Sequence, residues 1–243
     1  MLVSALMINT VFLDAGNTLL KAHPSVASLY ASTARRYGSD PSPEELMVHF
    51  KALRAEMSPM VTGSGGYESG NNGSAAEKAW WRAFVHELFR RVGMVNDFDA
   101  FFEELYDLFS RKGSWRLYPE VMDVLESLRR MPLRLFILSN WDSRLTDICN
   151  NLGLAPFFHE IIISSIVGFE KPDPEIFRIA LSRAKIEPAY ALHVGDDRDL
   201  DFLAARKAGM NALLLDRDGR YDPQPFRITS LRDVPAYLER DGK

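Results

Sequence analysis

The sequence predicts an α/β fold: a doubly wound parallel sheet, a Rossmann-like core, with an α-helical cap domain inserted in it. Two observations predict the sheet. Short apolar runs recur along the chain, each ending in polar residues, and stretches of helical period separate the later runs. Strands alternating with helices imply a parallel sheet covered on both faces. A third observation predicts the cap, because from residue 21 to residue 113 the alternation stops and every periodic stretch is helical.

The strands are expected at 11–13, 135–138, 161–163, 191–194 and 212–215. The apolar start of the chain lacks a basic segment and a small-residue cleavage site, and it runs directly into Asp14, so it reads as the first core strand. Core helices are expected at 121–130, 143–152 and 174–185, the last opened by Asp173 as N-cap with Pro174 in its first turn. The tail beyond Asp216 is expected to give a short strand at 226–229 and a closing helix from Val234.

Within the insert, helices are expected at 25–37 and 97–111. The capping box Ser42-Pro43-Glu44-Glu45 opens a third, with Leu46, Phe50, Leu53 and Met57 spaced three or four apart. Ser74 with Glu77 repeats that signal ahead of Trp81, Phe84, Val85, Leu88 and Val92. Residues 62–73, rich in Gly, Ser and Asn, read as a mobile loop. The expected division is a core of 1–20 with 114–243 and a cap of 21–113, hinged on linkers near 20–24 and 112–117. Such a cap excludes water from a site beneath it.

Composition narrows the function classes. A net charge of −4 gives no electrostatic reason for nucleic acid or an anionic membrane as partner. No apolar run approaches the ~20 residues of a membrane helix. The single cysteine, Cys149, excludes an internal disulfide and fits a reducing compartment, so the expectation is a cytoplasmic protein acting on a small molecule.

In open parallel sheets ligands bind beyond the carboxyl ends of the strands. Those ends carry Asp14, Gly16 and Thr18, then Ser139 and Asn140, then Ser164 and Ser165, then Gly195 and Asp196, with Lys171 in the loop 170–174. Carboxylates, hydroxyls and an amine at one edge are what handling a phosphate and a divalent cation requires, since hard cations such as magnesium take oxygen ligands. Asp14 and Asp196 side by side would repel and raise a pKa unless a cation screened them.

The series Asp14-Ala15-Gly16-Asn17-Thr18, then Ser139-Asn140, then Lys171-Pro172, then Gly195-Asp196 with Asp201 and Ala208-Gly209-Met210, resembles the four motifs of the haloacid dehalogenase superfamily, in its branch with a helical cap after the first motif. The pair Trp80-Trp81 is similar to the group around the product of the fly rhythmically expressed gene 2. The resemblance implies a hydrolase, a magnesium-dependent phosphatase, with Asp14 as nucleophile through an aspartyl-phosphate. It implies that Ser139 and Asn140 hydrogen-bond the transferring group, that Lys171 neutralises charge there, and that Thr18 supports the loop. It further implies that Mg2+ is held by Asp14, the Gly16 carbonyl and Asp196, with Asp201 nearby.

One position departs from that pattern. Phosphatases of the superfamily carry a second aspartate two residues after the nucleophile, which protonates the leaving alcohol; here that residue is Gly16. General acid–base help contributes roughly 10²–10⁴ in rate, about 3–5 kcal/mol of barrier. Acyl and aryl phosphates, whose leaving groups need no proton, lose least. Asp142, His23 and Asn17 are the candidates for a substitute base. Two further readings stand beside the phosphatase. Carbon–halogen or carbon–phosphorus cleavage suits Gly16, although dehalogenases work without metal and phosphonatases need a cap lysine, for which Lys51 is the candidate. A non-catalytic ligand-binding protein would retain the fold alone.

Several residues have plainer readings. His193, mid-strand among apolar neighbours, is expected to be a satisfied core histidine, and Cys149 a buried small hydrophobe. Asp197 and Asp199, with Asp196 and Asp201, are equally suited to capping a helix. Of Trp80 and Trp81, one is expected inside the cap and the other at the cleft. Because Gly16→Asp restores a proton donor, it is expected to raise kcat on alkyl phosphates, measured against the parent chain.

Overall fold

The computed structural model describes residues 8–57 and 71–241. In chain order the elements are β1 (Thr10–Leu13), β2 (Leu20–Ala22), α1 (Val26–Arg36), α2 (Pro43–Glu56), α3 (Asn71–Val92), α4 (Phe98–Leu108), β3 (Trp115–Leu117), α5 (Val121–Arg129), β4 (Arg134–Ser139), α6 (Leu145–Asn151), β5 (Glu160–Ile163), α7 (Ser164–Val167), α8 (Pro174–Ala184), β6 (Ala191–Gly195), α9 (Ala204–Lys207), β7 (Asn211–Leu215), β8 (Arg227–Ile228) and α10 (Asp233–Asp241). A π-helical turn, Arg198–Leu203, leads into α9.

Six strands form one sheet in the order β5-β4-β1-β6-β7-β8, and every pair is parallel. Side chains on a strand alternate between faces, and the two faces carry separate cores. Val11, Leu13, Leu135, Ile137, Leu192 and Val194 point to the side covered by α5, α6 and α10. Phe12, Phe136, Leu138 and Ala212 point to the side covered by α8 and α9. Residues buried on both faces explain why the strands read as unbroken apolar runs rather than alternating ones. The chain departs from β1 first toward β4 and β5 and later toward β6 and β7. The end of β1 is therefore the switch point, where a crevice opens.

The insert α1–α4 has an apolar cluster of its own, including Tyr30, Leu46, Leu53, Phe84, Leu88, Phe89, Phe101 and Phe102. Its linkers are more ordered than the sequence predicts. Residues 20–22 and 115–117 pair as an antiparallel ribbon, Leu20 opposite Leu117 and Ala22 opposite Trp115. Each run is only three residues long, too short to register as a strand by periodicity. The expected cap at Ser74 is also corrected: α3 starts at Asn71, so Ser74 lies in its first turn and residues 71–73 of the expected loop are helical. Residues 62–70 of that loop lie outside the described residues. Elsewhere the caps fall as expected, with Ser42 accepting from the Glu45 N–H at 3.1 Å and Asp173 from that of Glu175 at 2.8 Å. Among the described residues no helix is long and apolar enough to cross a membrane.

Phe84 is fully buried and packs on Phe50, Trp80 and Trp81. Phe84→Ala is expected to cost about 3–5 kcal/mol, read as an earlier midpoint in urea unfolding.

Candidate active site

Asp14 continues β1 by one residue, its N–H donating to Val194 O at 2.9 Å. That bond fixes its carboxylate at the switch point. Ser139 Oγ, at the end of β4, donates to Asp14 Oδ1 at 3.0 Å, and Lys171 Nζ donates to the same oxygen at 2.8 Å. Among the described residues no donor reaches Oδ2. The carboxylate thus has one pinned oxygen and one free.

Lys171 is almost wholly buried, with its ammonium shared by Asp14 and Asp201 and a third bond to Leu138 O at 3.1 Å. Its loop is held by Asn140, whose amide donates to Lys171 O at 2.8 Å and accepts from Lys171 N at 2.7 Å. The Asn140 side chain acts like a neighbouring strand. These two bonds give Asn140 a positioning role that the sequence did not indicate, and its amide keeps a second N–H and a second lone pair.

Asp201 reaches the ammonium because the chain folds tightly after β6. A Cβ on Gly195 would land on the Asp201 carboxylate, so glycine alone permits the approach. Asp197 caps the turn by accepting from the N–H groups of Asp199 and Leu200, at 2.9 and 2.8 Å. Asp201 accepts in turn from Asp197 N at 3.1 Å and faces His193 Nε2 at 3.0 Å. His193 is fully buried, but only half satisfied, since its Nδ1 lacks a partner among the described residues.

Asp196 completes the cluster. Ligand atoms of Asp14, Asp196 and Asp201 all lie within 4.8 Å of one another. When ionised, three carboxylates face one ammonium. Burial raises the Asp14 pKa, and Lys171 pulls against it. Burial, then the Asp14 and Asp201 charges, push Asp196 up to about 7, with only Arg220 opposing at 3.6 Å. Burial pulls on Lys171, but the two carboxylates more than offset it and keep the ammonium charged. Asp201 is held below the usual carboxylate range, its burial outweighed by Lys171 and His193. An all-oxygen donor set with surplus negative charge fits a hard divalent cation. The Gly16 carbonyl is free to join it. In the turn after Asp14, Asn17 N donates to Leu20 O and Leu20 N to Ala15 O, and Gly16 O takes part in neither bond.

That turn has a clamp the sequence did not reveal. Arg217 donates to Thr18 O at 2.9 Å and Asn17 O at 3.3 Å, pairs with Glu120, and stacks 3.7 Å over Tyr118. It follows β7 in a charged stretch, about 200 residues from Asn17 and Thr18 and about 100 from Glu120 and Tyr118, and no motif marks it. Thr18 is fully buried, with Oγ1 unpartnered among the described residues.

None of the proposed substitute bases is brought to Asp14 by a recorded contact. Asp142 is bound on both oxygens by Arg144 and accepts from Trp81 Nε1 at 2.8 Å. Asn17 is exposed, and His23 lies where the chain enters α1. Ser164 Oγ is taken by the main chain of Trp141, at 3.1 Å in both directions, while Ser165 is buried beside it. Lys51 is exposed on α2. Trp141 lies over Gly16: a Cβ there would come within 3.2 Å of its ring.

Between the cap and the strand ends lies a cavity of about 240 Å³. Trp81, Tyr106, Asn140, Trp141 and Arg144 are among its walls. Its floor thus adjoins Ser139, although Asp14 is not in its lining. Trp81 faces this cavity and Trp80 stacks on Phe84, while both pack partly on the cap core. Glu77 of the cap accepts from Ser143 N at 3.1 Å, and Arg54 pairs with Glu170 at 3.3 Å, holding cap to core.

Fold and site together define a capped α/β hydrolase with an aspartate at the sheet's switch point. The chain belongs to the haloacid dehalogenase-like hydrolase family, whose model matches residues 8–209. It is 33% identical over 222 residues to human haloacid dehalogenase-like hydrolase domain-containing protein 3, covering 90% of this chain and 86% of that protein. It is 26% identical over 212 residues to the rhythmically expressed gene 2 protein of Drosophila melanogaster, covering 83% and 80%. Among solved structures, an L-2-haloacid dehalogenase from Xanthobacter autotrophicus shares the fold, with a TM-score of 0.72, 19% identity, and coverage of 96% and 99%.

Asp196 supplies a pH test. Its folded pKa of about 7 stands above the ordinary 3.8, so its contribution to stability is intact in acid and is lost as pH rises through 7. In chelator, Asp196→Asn is expected to melt above the parent chain at pH 8, with the gap closing toward pH 4. Thermal melts across that range measure it.

Proposed function

We propose that the protein is a magnesium-dependent phosphatase of small phosphorylated molecules that works through an aspartyl-phosphate on Asp14. One observation carries this reading. Asp14 Oδ1 is pinned by Ser139 and Lys171 while Oδ2 stays open, within a three-carboxylate oxygen cluster.

The chemistry follows from those groups. Asp14 Oδ2 attacks phosphorus, the P–O bond to the leaving group breaks, and the leaving oxygen keeps the electron pair. Water then attacks the phosphoryl group, releases phosphate and restores the carboxylate. Lys171 and Ser139 hold the carboxylate in one orientation, so the reacting oxygen is presented without reorganisation. A bound Mg2+, held by Asp14, Asp196 and the Gly16 carbonyl, would neutralise charge on the phosphoryl oxygens. Asp201 acts through Lys171, keeping the ammonium protonated and in place.

Gly16 supplies no proton, and Asp142 is committed to Arg144 and Trp81. The reading therefore favours phosphate esters whose leaving group departs as an anion. Trp141 also bears on Gly16→Asp: its ring must give by a few tenths of an ångström to admit the new Cβ, so the gain on alkyl phosphates is expected to be larger when a smaller residue stands at 141.

The test is a hydrolysis screen with and without magnesium on p-nitrophenyl phosphate, acetyl phosphate, phosphonoacetaldehyde and chloroacetate. Magnesium-dependent phosphate release, abolished by Asp14→Asn, is expected. Halide release from chloroacetate without metal would replace the reading with that of the dehalogenase whose fold the chain shares.

A further inference from the structure

We infer that the cavity under the cap is a leaving-group subsite for an uncharged aromatic ring, so that, given the phosphatase reading above, the substrates are aryl phosphates. Size is the first support. A dry cavity of about 150 Å³ already accepts benzene, and this one, at about 240 Å³, has room for a substituted ring.

The second is the walls. Tyr30, Phe50, Trp81, Tyr106, Trp115 and Trp141 supply aromatic surface, against which a ring packs face-on or edge-on. The four charged residues in the lining cancel in pairs, Arg54 with Glu170 and Arg144 with Asp142. The polar groups are likewise engaged: Asn140 by the Lys171 main chain, Ser164 by that of Trp141, Trp81 Nε1 by Asp142, and Trp115 Nε1 by Phe109 O at 2.9 Å. A sugar or nucleotide would find spare donors and acceptors chiefly toward the Arg54–Glu170 pair, while its other hydroxyls and charges would face aromatic rings, and unpaired buried polar groups are costly. The phenols of Tyr30 and Tyr106 and the Trp141 indole N–H carry no hydrogen bond among the described residues, enough for one neutral substituent.

The third is the join to the reacting centre. Trp141 lines the cavity and also lies against Gly16, two residues from Asp14. A Cβ at residue 16 would press on the Trp141 ring, 3.2 Å away, so an aromatic side chain borders the place where an acidic one would begin. An aryl oxide suits that arrangement. With a phenol pKa near about 10, it leaves with the electron pair of the broken P–O bond and takes up the proton released when water hydrolyses the aspartyl-phosphate. The products are the phenol and phosphate, and no co-reactant beyond water is needed.

The test compares kcat/KM on phenyl phosphate with that on acetyl phosphate, and measures binding of 4-nitrophenol alone by calorimetry, using the magnesium-loaded full chain. Trp141→Ala removes the shared wall. Val26→Trp, at a half-buried lining position in the first turn of α1, fills the cavity without touching the turn after Asp14. Each variant is expected to lower the phenyl-to-acetyl preference roughly tenfold, the scale of one lost aromatic contact, and to weaken 4-nitrophenol binding. An unchanged preference in both variants, with acetyl phosphate still hydrolysed, overturns the subsite and spares the phosphatase reading. Saturable 4-nitrophenol binding that Val26→Trp blocks, with no phosphate ester hydrolysed, overturns the phosphatase reading and leaves the subsite standing.

Discussion

The buried ammonium of Lys171 is the contact on which the arrangement of the site depends. It lies between Asp14, at the end of the first strand, and Asp201, in the turn after β6. Burying an ion is expensive unless excellent geometry returns the lost hydration, and removing one partner of such a pair strands the other at several kcal/mol. Here three hydrogen bonds satisfy the three N–H donors, to Asp14, Asp201 and Leu138 O. The ammonium is therefore fixed in position and fixed in charge. With it, the Asp14 carboxylate keeps one oxygen engaged and the other free.

Much of the surrounding structure makes that contact geometrically possible. Asn140 holds the lysine loop by pairing with its main chain. Gly195 leaves space for Asp201 to fold back over the strand end. Arg217 clamps the turn that follows Asp14. None of these three has to touch a substrate for the site to depend on it. The surplus of negative charge that remains shows in Asp196, whose pKa is raised to about 7 by burial and by its two acidic neighbours. A divalent cation bound between these carboxylates would relieve that strain.

On the cap side the chemistry changes character. Gly16 and Trp141 form one unit, the missing side chain of the first making room for the ring of the second. Read from the sequence, Gly16 was only a gap in a pattern. In three dimensions it is half of a contact that joins the carboxylate turn to an aromatic cavity. Trp81, Arg144 and Asp142 close that cavity from both sides, which removes Asp142 from acid–base work and commits it to joining cap and core.

The fold class was legible in the sequence because the signals for it are local. Apolar runs ending at Asp14, Ser139 and Gly195 announce buried parallel strands, and helical periodicity between 21 and 113 announces the cap. Asp14 and Asp196 were legible for a related reason, since parallel strands deliver their carboxyl ends to one edge, whereas Asp201, inside the turn after β6, entered only through the resemblance of the fourth motif. What only the tertiary structure decided were contacts between groups distant in the chain and free of any periodic signature. The three-residue ribbon of β2 and β3, the start of α3 ahead of Ser74, the grip of Asn140 on Lys171, the clamp of Arg217 and the seat of Trp141 over Gly16 belong to that class. Periodicity records which face of an element is buried; it carries no information on which partner a side chain meets once the elements pack.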